Sequence, residues 1–280
     1  MPDAFYEPDG DLYRATELTR GPWDPGAQHA GPPAALIGRE IERVGGGRMN
    51  GGDGPPAQVG RITYEVLRPV PIGPLRVEAE VLRPGRRVEL VGASLFDADG
   101  TELMRAQGWR LRTEDVGFES TSGFPATPDG PEQGEPKAFF DTGHDVGYHT
   151  AVDYRFTEGA FVESGPATVW IRMAVSLLPG EEPSPLQRVL VAADAGNGVS
   201  AALDWTRFLF INVDLSVHLH RMPEGEWVCL DAVTLPQPNG IGMADTGLYD
   251  ERGAIGRAMQ TLLIAERRGR DSNPRGTEGP

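Results

Sequence analysis

Cysteine is nearly absent from this chain: Cys229 stands alone among 280 residues. An intramolecular disulfide framework is therefore excluded, and the usage fits a reducing compartment. Positive charge is also short. Lys and Arg number 26 against 41 Asp and Glu, a formal net charge of −15, so no basic field draws nucleic acid or an anionic membrane. The opening MPDAFYEPDGDLYRATELTR lacks the basic and apolar segments of an export signal. No run approaches the roughly 18 apolar residues that a membrane span needs. A cytoplasmic protein is expected, with no membrane span, nucleic-acid partner, metal or cofactor. A G-x-S-x-G elbow is missing too, and Cys229 sits in a strand pattern with no evident base beside it. The glycines of Gly45–Gly54 form a flexible loop without the lysine of a phosphate loop.

What is present centres on Leu190–Leu219. Asp194 is followed by Gly196, Asn197, Gly198 and a small-residue run, Val199 to Leu203, that reads as a helix. Arg207–Leu219 then alternates: Ile211, Val213, Leu215, Val217 and Leu219 are apolar, and Asn212, Asp214, Ser216 and His218 are polar. Period two over that length predicts one half-buried strand. A carboxylate at a helix N-terminus beside an inward amide can do chemistry; it can equally be a helix cap.

Elsewhere, Pro32–Val44 reads as a helix opened by proline, with Leu36, Ile37 and Ile41 at helical spacing. Leu12–Thr16 is expected as an edge strand. Strands are expected over Gly60–Leu67, Leu75–Leu82, Val88–Asp97 and Thr101–Thr113, the last two joined by the Asp99-Gly100 turn. The Pro-rich stretch 116–150 reads as a linker. Strands at Ala151–Phe156 and Thr168–Ser176 and a helix at Pro185–Ala192 precede the central stretch. Strands at Glu226–Thr234, Gly240–Tyr249 and Ala254–Ala265 come after it, and 269–280 reads as a disordered tail.

The two halves repeat. LRPVPIGPLRVEAEVL from Leu67 aligns with LHRMPEGEWVCLDAVT from Leu219, and SLFDADGTELMRAQGW from Ser94 with GLYDERGAIGRAMQTL from Gly247. Gln107 thereby faces Gln260, and upstream His29 faces Asp194 and Gly31 faces Gly196. So long a period marks duplicated domains. The expectation is an α+β fold of two units, 1–115 and 151–268, each a helix followed by four strands.

Duplicated helix-plus-sheet units with His29-Ala30-Gly31 and Asp194-Ala195-Gly196 resemble the double-hotdog acyl-CoA thioesterase II family. Val169–Arg172, Pro185–Arg188, Asp214, Ser216, His220, Arg221 and Gln260 are similar to that family in order and spacing. The resemblance implies two tandem hotdogs, each a helix wrapped by an antiparallel sheet, that hydrolyse acyl-CoA or acyl-carrier thioesters with an activated water. The family holds that water with Asp, Thr and Gln; here the places fall on Asp194, Asn212 and Gln260, with Asn a departure. Asn still donates and accepts hydrogen bonds.

Thioester hydrolysis needs a base for the water and donors for the developing oxyanion. Asp194 would be the base, and backbone N–H groups around Gly196, Asn197 and Gly198 the donors. His29, Gly31, Gln107 and Arg221 are expected to bind substrate. Trp23, Trp109, Trp170, Trp205 and Trp227 read as core or acyl-pocket lining. Two other readings stay open: a non-catalytic acyl-CoA binding protein, and a hydratase or dehydratase, which would need His29 and Asp194 in one site. The resemblance also allows a homodimer or higher oligomer.

Overall fold

Proline opens both long helices. The computed structural model describes residues 3–49, 56–119, 123, 125–161 and 163–267. Helix α1 (Gly31–Arg43) has Pro32 and Pro33 in its first turn, where a missing N–H costs nothing. Helix α3 (Pro185–Ala193) starts behind Ser184, whose hydroxyl accepts the Gln187 N–H at 3.2 Å. Between them lies the one-turn α2 (Tyr148–Ala151), and after them the one-turn α4 (Gly196–Val199).

Among the described residues thirteen strands form a single antiparallel sheet. In chain order they are β1 (Tyr6–Asp9), β2 (Leu12–Ala15), β3 (Ala57–Val66), β4 (Pro74–Arg83), β5 (Val88–Asp97), β6 (Glu102–Arg112), β7 (Val152–Glu158), β8 (Ala167–Met173), β9 (Phe208–Asn212), β10 (Asp214–Leu219), β11 (Trp227–Pro236), β12 (Ile241–Asp250) and β13 (Gly253–Glu266). The order across the sheet is β1-β2-β4-β5-β6-β3-β10-β13-β12-β11-β8-β7, with β9 paired to β13. The halves meet where β3 pairs with β10, Ile62 opposite Val217. Each half has two strands, a long helix and then its main strands, so the strands expected at Leu12–Thr16, Ala151–Phe156 and Thr168–Ser176 belong to the units beside the helix-and-four of the repeat. Strand β2 is inside the sheet; β1, which carries no alternating apolar pattern, is the edge.

The helices pack on each other with their ends reversed. Gly31 lies against α3 so closely that a Cβ there would come within 2.4 Å of the Val191 carbonyl oxygen, and one at Gly38 within 2.3 Å of Leu190 Cδ1. Gly31 thus serves the packing of the two helices and is not among the residues lining the cavity described below. At the other end Ser184 Oγ donates to Glu42 Oε2 at 2.6 Å, and Arg39 holds Glu181 through two nitrogens. Leu36, Ile37, Val189 and Leu190 are fully buried in one core shared by both halves.

Two expectations around Asp194 need correction. The long helix of the second half precedes Asp194, which is the C-cap of α3; beyond it the chain makes only the single turn of α4, not a helix through Leu203. Glycines at 196 and 198 are poor helix formers, and Ser200 ends the turn.

The second correction concerns Arg207–Leu219, which is two strands broken at Val213. Asn212 lies opposite Leu262 and Ser216 opposite Met259, so one side advances four residues while the other advances three. Such a bulge inverts which face the side chains take. Leu215, Val217 and Leu219 point inward, yet so does Asn212, while Ile211 and Val213 are 48% and 44% exposed. Asp214 seals the bulge, accepting the Thr261 N–H at 2.5 Å and its hydroxyl at 3.3 Å.

Among the described residues no helix is long and apolar enough to cross a membrane. The expected tail, 269–280, lies outside the described residues, as do 50–55 of the glycine-rich loop.

Candidate active site

Asp194 reaches a cavity of about 480 Å³ from the end of α3. Its side chain is 6% exposed. Oδ1 accepts hydrogen bonds from Asn212 Nδ2 at 2.7 Å and from Gln260 Nε2 at 3.1 Å. Gln260 also donates to the Asp194 carbonyl at 3.2 Å, and its Oε1 accepts the Asn197 N–H at 3.1 Å. Of the three residues that the resemblance singles out, Asn212 and Gln260 therefore both meet Asp194. Asn212 arrives through the bulge, and Gln260 through the inward face of β13 with Gly256 and Ala258. With Oδ1 occupied by two amides, Oδ2 is the oxygen left for a substrate or water.

His29 faces that oxygen, its Nδ1 3.2 Å from Asp194 Oδ2. It comes from the other half, just ahead of α1. Its ring stacks on Tyr148 with centroids 3.7 Å apart and planes 6° from parallel. Nδ1 also accepts the Gly31 N–H at 3.1 Å. Burial holds the imidazole below its usual pKa, outweighing the opposing pull of Asp194. A neutral ring keeps a lone pair at Nδ1 for Gly31. Aligning the two halves puts His29 and Asp194 at matching places in separate units; in the fold they share one site.

Other expected site residues lie elsewhere or are engaged differently. Gln107 is on the outer face of β6, because the inward place beside Ile62 belongs to Gly108, where a Cβ would approach Ile41 Cγ2 to 2.9 Å. Arg221 is not at the cavity: it grips Asp250 at 2.5 and 2.6 Å and the carbonyls of Gly253 and Ala254, fixing the β12–β13 turn. Of the three expected backbone donors, Asn197 is bonded to Gln260 and Gly196 packs on Thr246, where a Cβ would come within 2.6 Å of Oγ1; Gly198 lines the cavity. Trp23 and Trp205 line it as well, Trp170 is core, and Trp227 lies under Arg172.

Sequence reasoning misses most of the wall. Phe139, Phe140 and Tyr148 come from the stretch that reads as a linker, and Tyr154 and Phe161 lie just beyond it. The Phe139-Phe140 pair, apolar within a polar Pro- and Gly-rich stretch, is the available signal. Tyr148 is held by its hydroxyl, which donates to the Val191 carbonyl at 2.7 Å.

Acid should loosen this region. His29, His144 and His149 all have pKa values lowered chiefly by burial, with Arg20 adding to the effect at His144 and His144 at His149. Their folded values lie below the ordinary histidine value of about 6.5, so the unfolded chain binds more protons as pH falls through and below it. Their contribution is complete above that value and is lost progressively below it. The urea midpoint is expected to fall between pH 7.5 and pH 5.5, and His29→Gln to shrink the fall. An equal fall in the variant would remove His29 from the account.

Family models for acyl-CoA thioesterase N-terminal and C-terminal domains match residues 19–111 and 126–264. Among solved structures, a Thermobifida fusca protein assigned to thioesterase II superposes with TM-score 0.70 at 20% identity, covering 92% of this chain and 93% of its own. An Alicyclobacillus acidocaldarius protein described by its hot dog fold gives 0.70 at 13%, with coverage of 95% and 97%. An acyl-CoA thioesterase II of Mycobacterium marinum gives 0.64 at 14%, with coverage of 93% and 95%. No curated protein matches. The α+β fold is the double hotdog that the repeat and resemblance lead one to expect.

Proposed function

This chain belongs to the acyl-CoA thioesterase family, and from that premise we propose that it hydrolyses acyl thioesters of coenzyme A or another pantetheine carrier with a water activated by Asp194. The observation that carries this reading is a cavity-lining carboxylate with one oxygen tied to Asn212 and Gln260 and the other 3.2 Å from His29. Two amide donors hold the Asp194 carboxylate in a fixed orientation. A water on Oδ2 gives its proton to that oxygen as its own oxygen adds to the thioester carbonyl carbon. The tetrahedral adduct then expels the sulfur, the C–S bond breaks, and the proton on Asp194 passes to the leaving thiolate. Thioester and water become acid and thiol, with no covalent enzyme intermediate.

His29 supports the middle of this sequence. Its ring, 3.2 Å from Asp194 Oδ2 and held through Nδ1 by the Gly31 N–H, walls the oxygen on which the proton rests. Gly198 is the cavity-lining member of the three expected donors and meets the developing oxyanion. The substitution of Asn for the family's Thr leaves the hydrogen bond to Asp194 in place. The lone, buried Cys229 supports a cytoplasmic setting.

One observation favours a second reading. His29 and Asp194 do share a site, which is the pairing that hydration of an enoyl thioester requires. Free-thiol release from a panel of saturated and 2-enoyl acyl-CoAs separates the two. Hydrolysis is expected to release thiol and acid in equal amounts from saturated esters. Loss of the enoyl chromophore without thiol would overturn hydrolysis in favour of hydration, and binding without either would leave a non-catalytic acyl-CoA binding protein.

A further inference from the structure

We infer that the acyl group this site prefers is aromatic, of the benzoyl or phenylacetyl kind, over a straight saturated chain of equal carbon number. The inference rests on the hydrolytic reading for its substrate and goes beyond it in naming the acyl class. An unbroken series of rings leads away from the carboxylate. His29, 3.2 Å from Asp194, stacks on Tyr148. Tyr154 comes after it at 6.4 Å and Phe161 at 4.8 Å, both nearly perpendicular to the ring before. Phe139 is next, edge-on at 4.4 Å, and then Phe140 at 4.5 Å.

Edge-to-face and stacked rings present positive edges and negative faces in alternation, which a substrate ring can meet with its own quadrupole. A saturated chain gains only the area it buries. These walls are also stiff, since an aromatic side chain has two rotatable bonds, and Tyr148 is pinned by its hydroxyl to Val191. The space has the right scale. A cavity of about 150 Å³ takes benzene, so about a third of the 480 Å³ here accommodates the ring and the rest the thioester and pantetheine arm.

Exposure sets the orientation. Tyr148 and Phe161, 2% and 5% exposed, close one end, while Trp23, 48% exposed, marks the other. Arg267 lies over Trp23 at 5.8 Å, placing a guanidinium where a carrier's phosphates would sit. The acyl ring points toward the buried Tyr148 and Phe161, and the carrier toward Trp23, which stacks on Phe140 at 5.3 Å where the series of rings reaches the surface.

The test compares phenylacetyl-CoA with octanoyl-CoA, eight acyl carbons in each, by kcat/KM for thiol release on the native chain and on Phe139→Leu and Phe161→Leu. The native protein is expected to favour phenylacetyl-CoA about tenfold, and each variant to lower that ratio at least threefold. Because both substrates are measured on one preparation, partial unfolding of a variant cancels from the ratio. Equal or better turnover of octanoyl-CoA, or a ratio unmoved by both variants, overturns the inference while leaving hydrolysis intact. Should neither ester release thiol, the hydrolytic reading falls, and equilibrium binding of the same two esters decides the ring preference by itself.

Discussion

Replacing Asp194 with Asn is expected to lower kcat for thiol release by roughly 10²- to 10⁴-fold, the range that a positioned general base supplies. The substitution is chosen to remove charge and little else. An asparagine oxygen can still accept from Asn212 Nδ2 and Gln260 Nε2, now 2.7 and 3.1 Å from Oδ1. Its amide nitrogen would then stand beside His29 Nδ1, where Oδ2 now lies 3.2 Å away. Shape and packing at the end of α3 are preserved, so the melting temperature should change little. KM should move less than kcat, because the interaction lost is made in the transition state. A kcat within threefold of native, with the fold intact, would remove the base from Asp194 and leave His29 as the candidate.

Arg110→Met is expected to cost about 3–5 kcal/mol of unfolding free energy, read from urea denaturation. Arg110 and Glu89 are 1% and 0% exposed and paired. The same guanidinium donates to the carbonyls of Ile41, Glu42, Val44 and Arg48, closing the C-terminal end of α1. Methionine fills the volume but removes the guanidinium that pairs with Glu89 and the donors to those carbonyls. The double variant Glu89→Gln with Arg110→Met should recover part of the loss, since it also removes the buried carboxylate that Arg110 pairs with. A single-variant loss below about 1 kcal/mol would mean that water reaches the pair and the helix end.

Neither member of that pair stands out in the sequence, because a charged residue in an alternating strand reads as a solvated face. Other elements are legible for physical reasons. Strand β5 runs Val88–Asp97 as its alternation and the following Asp99-Gly100 turn predict. Gln260 stands on a face with Gly256 and Ala258, and small neighbours mark close approach; the amide is buried among them.

Asn212 is harder. Strict alternation puts it with Ser216 and His218, which do not face the core, and only the extra residue at Val213 turns it toward Asp194. A bulge sealed by a side chain, as Asp214 seals this one, has no periodic signature. Gln107 fails for the mirrored reason: aligned letters match Gln260, but the inward place in β6 is Gly108. The meeting of His29 with Asp194 depends on α1 and α3 packing with reversed ends, a contact between distant parts of the chain that spacing cannot encode.

That reversed packing also sets the stoichiometry. Two identical units related by a twofold axis would own two equivalent clefts, and any residue improved in one would be altered in the other. Covalent tandem linkage frees this chain from that constraint. The first half gives a histidine to the cleft of the second and keeps a glycine where its own amide would be. A tight, slowly released ligand should therefore titrate at one equivalent per polypeptide, with no second class of sites to produce cooperativity within a chain.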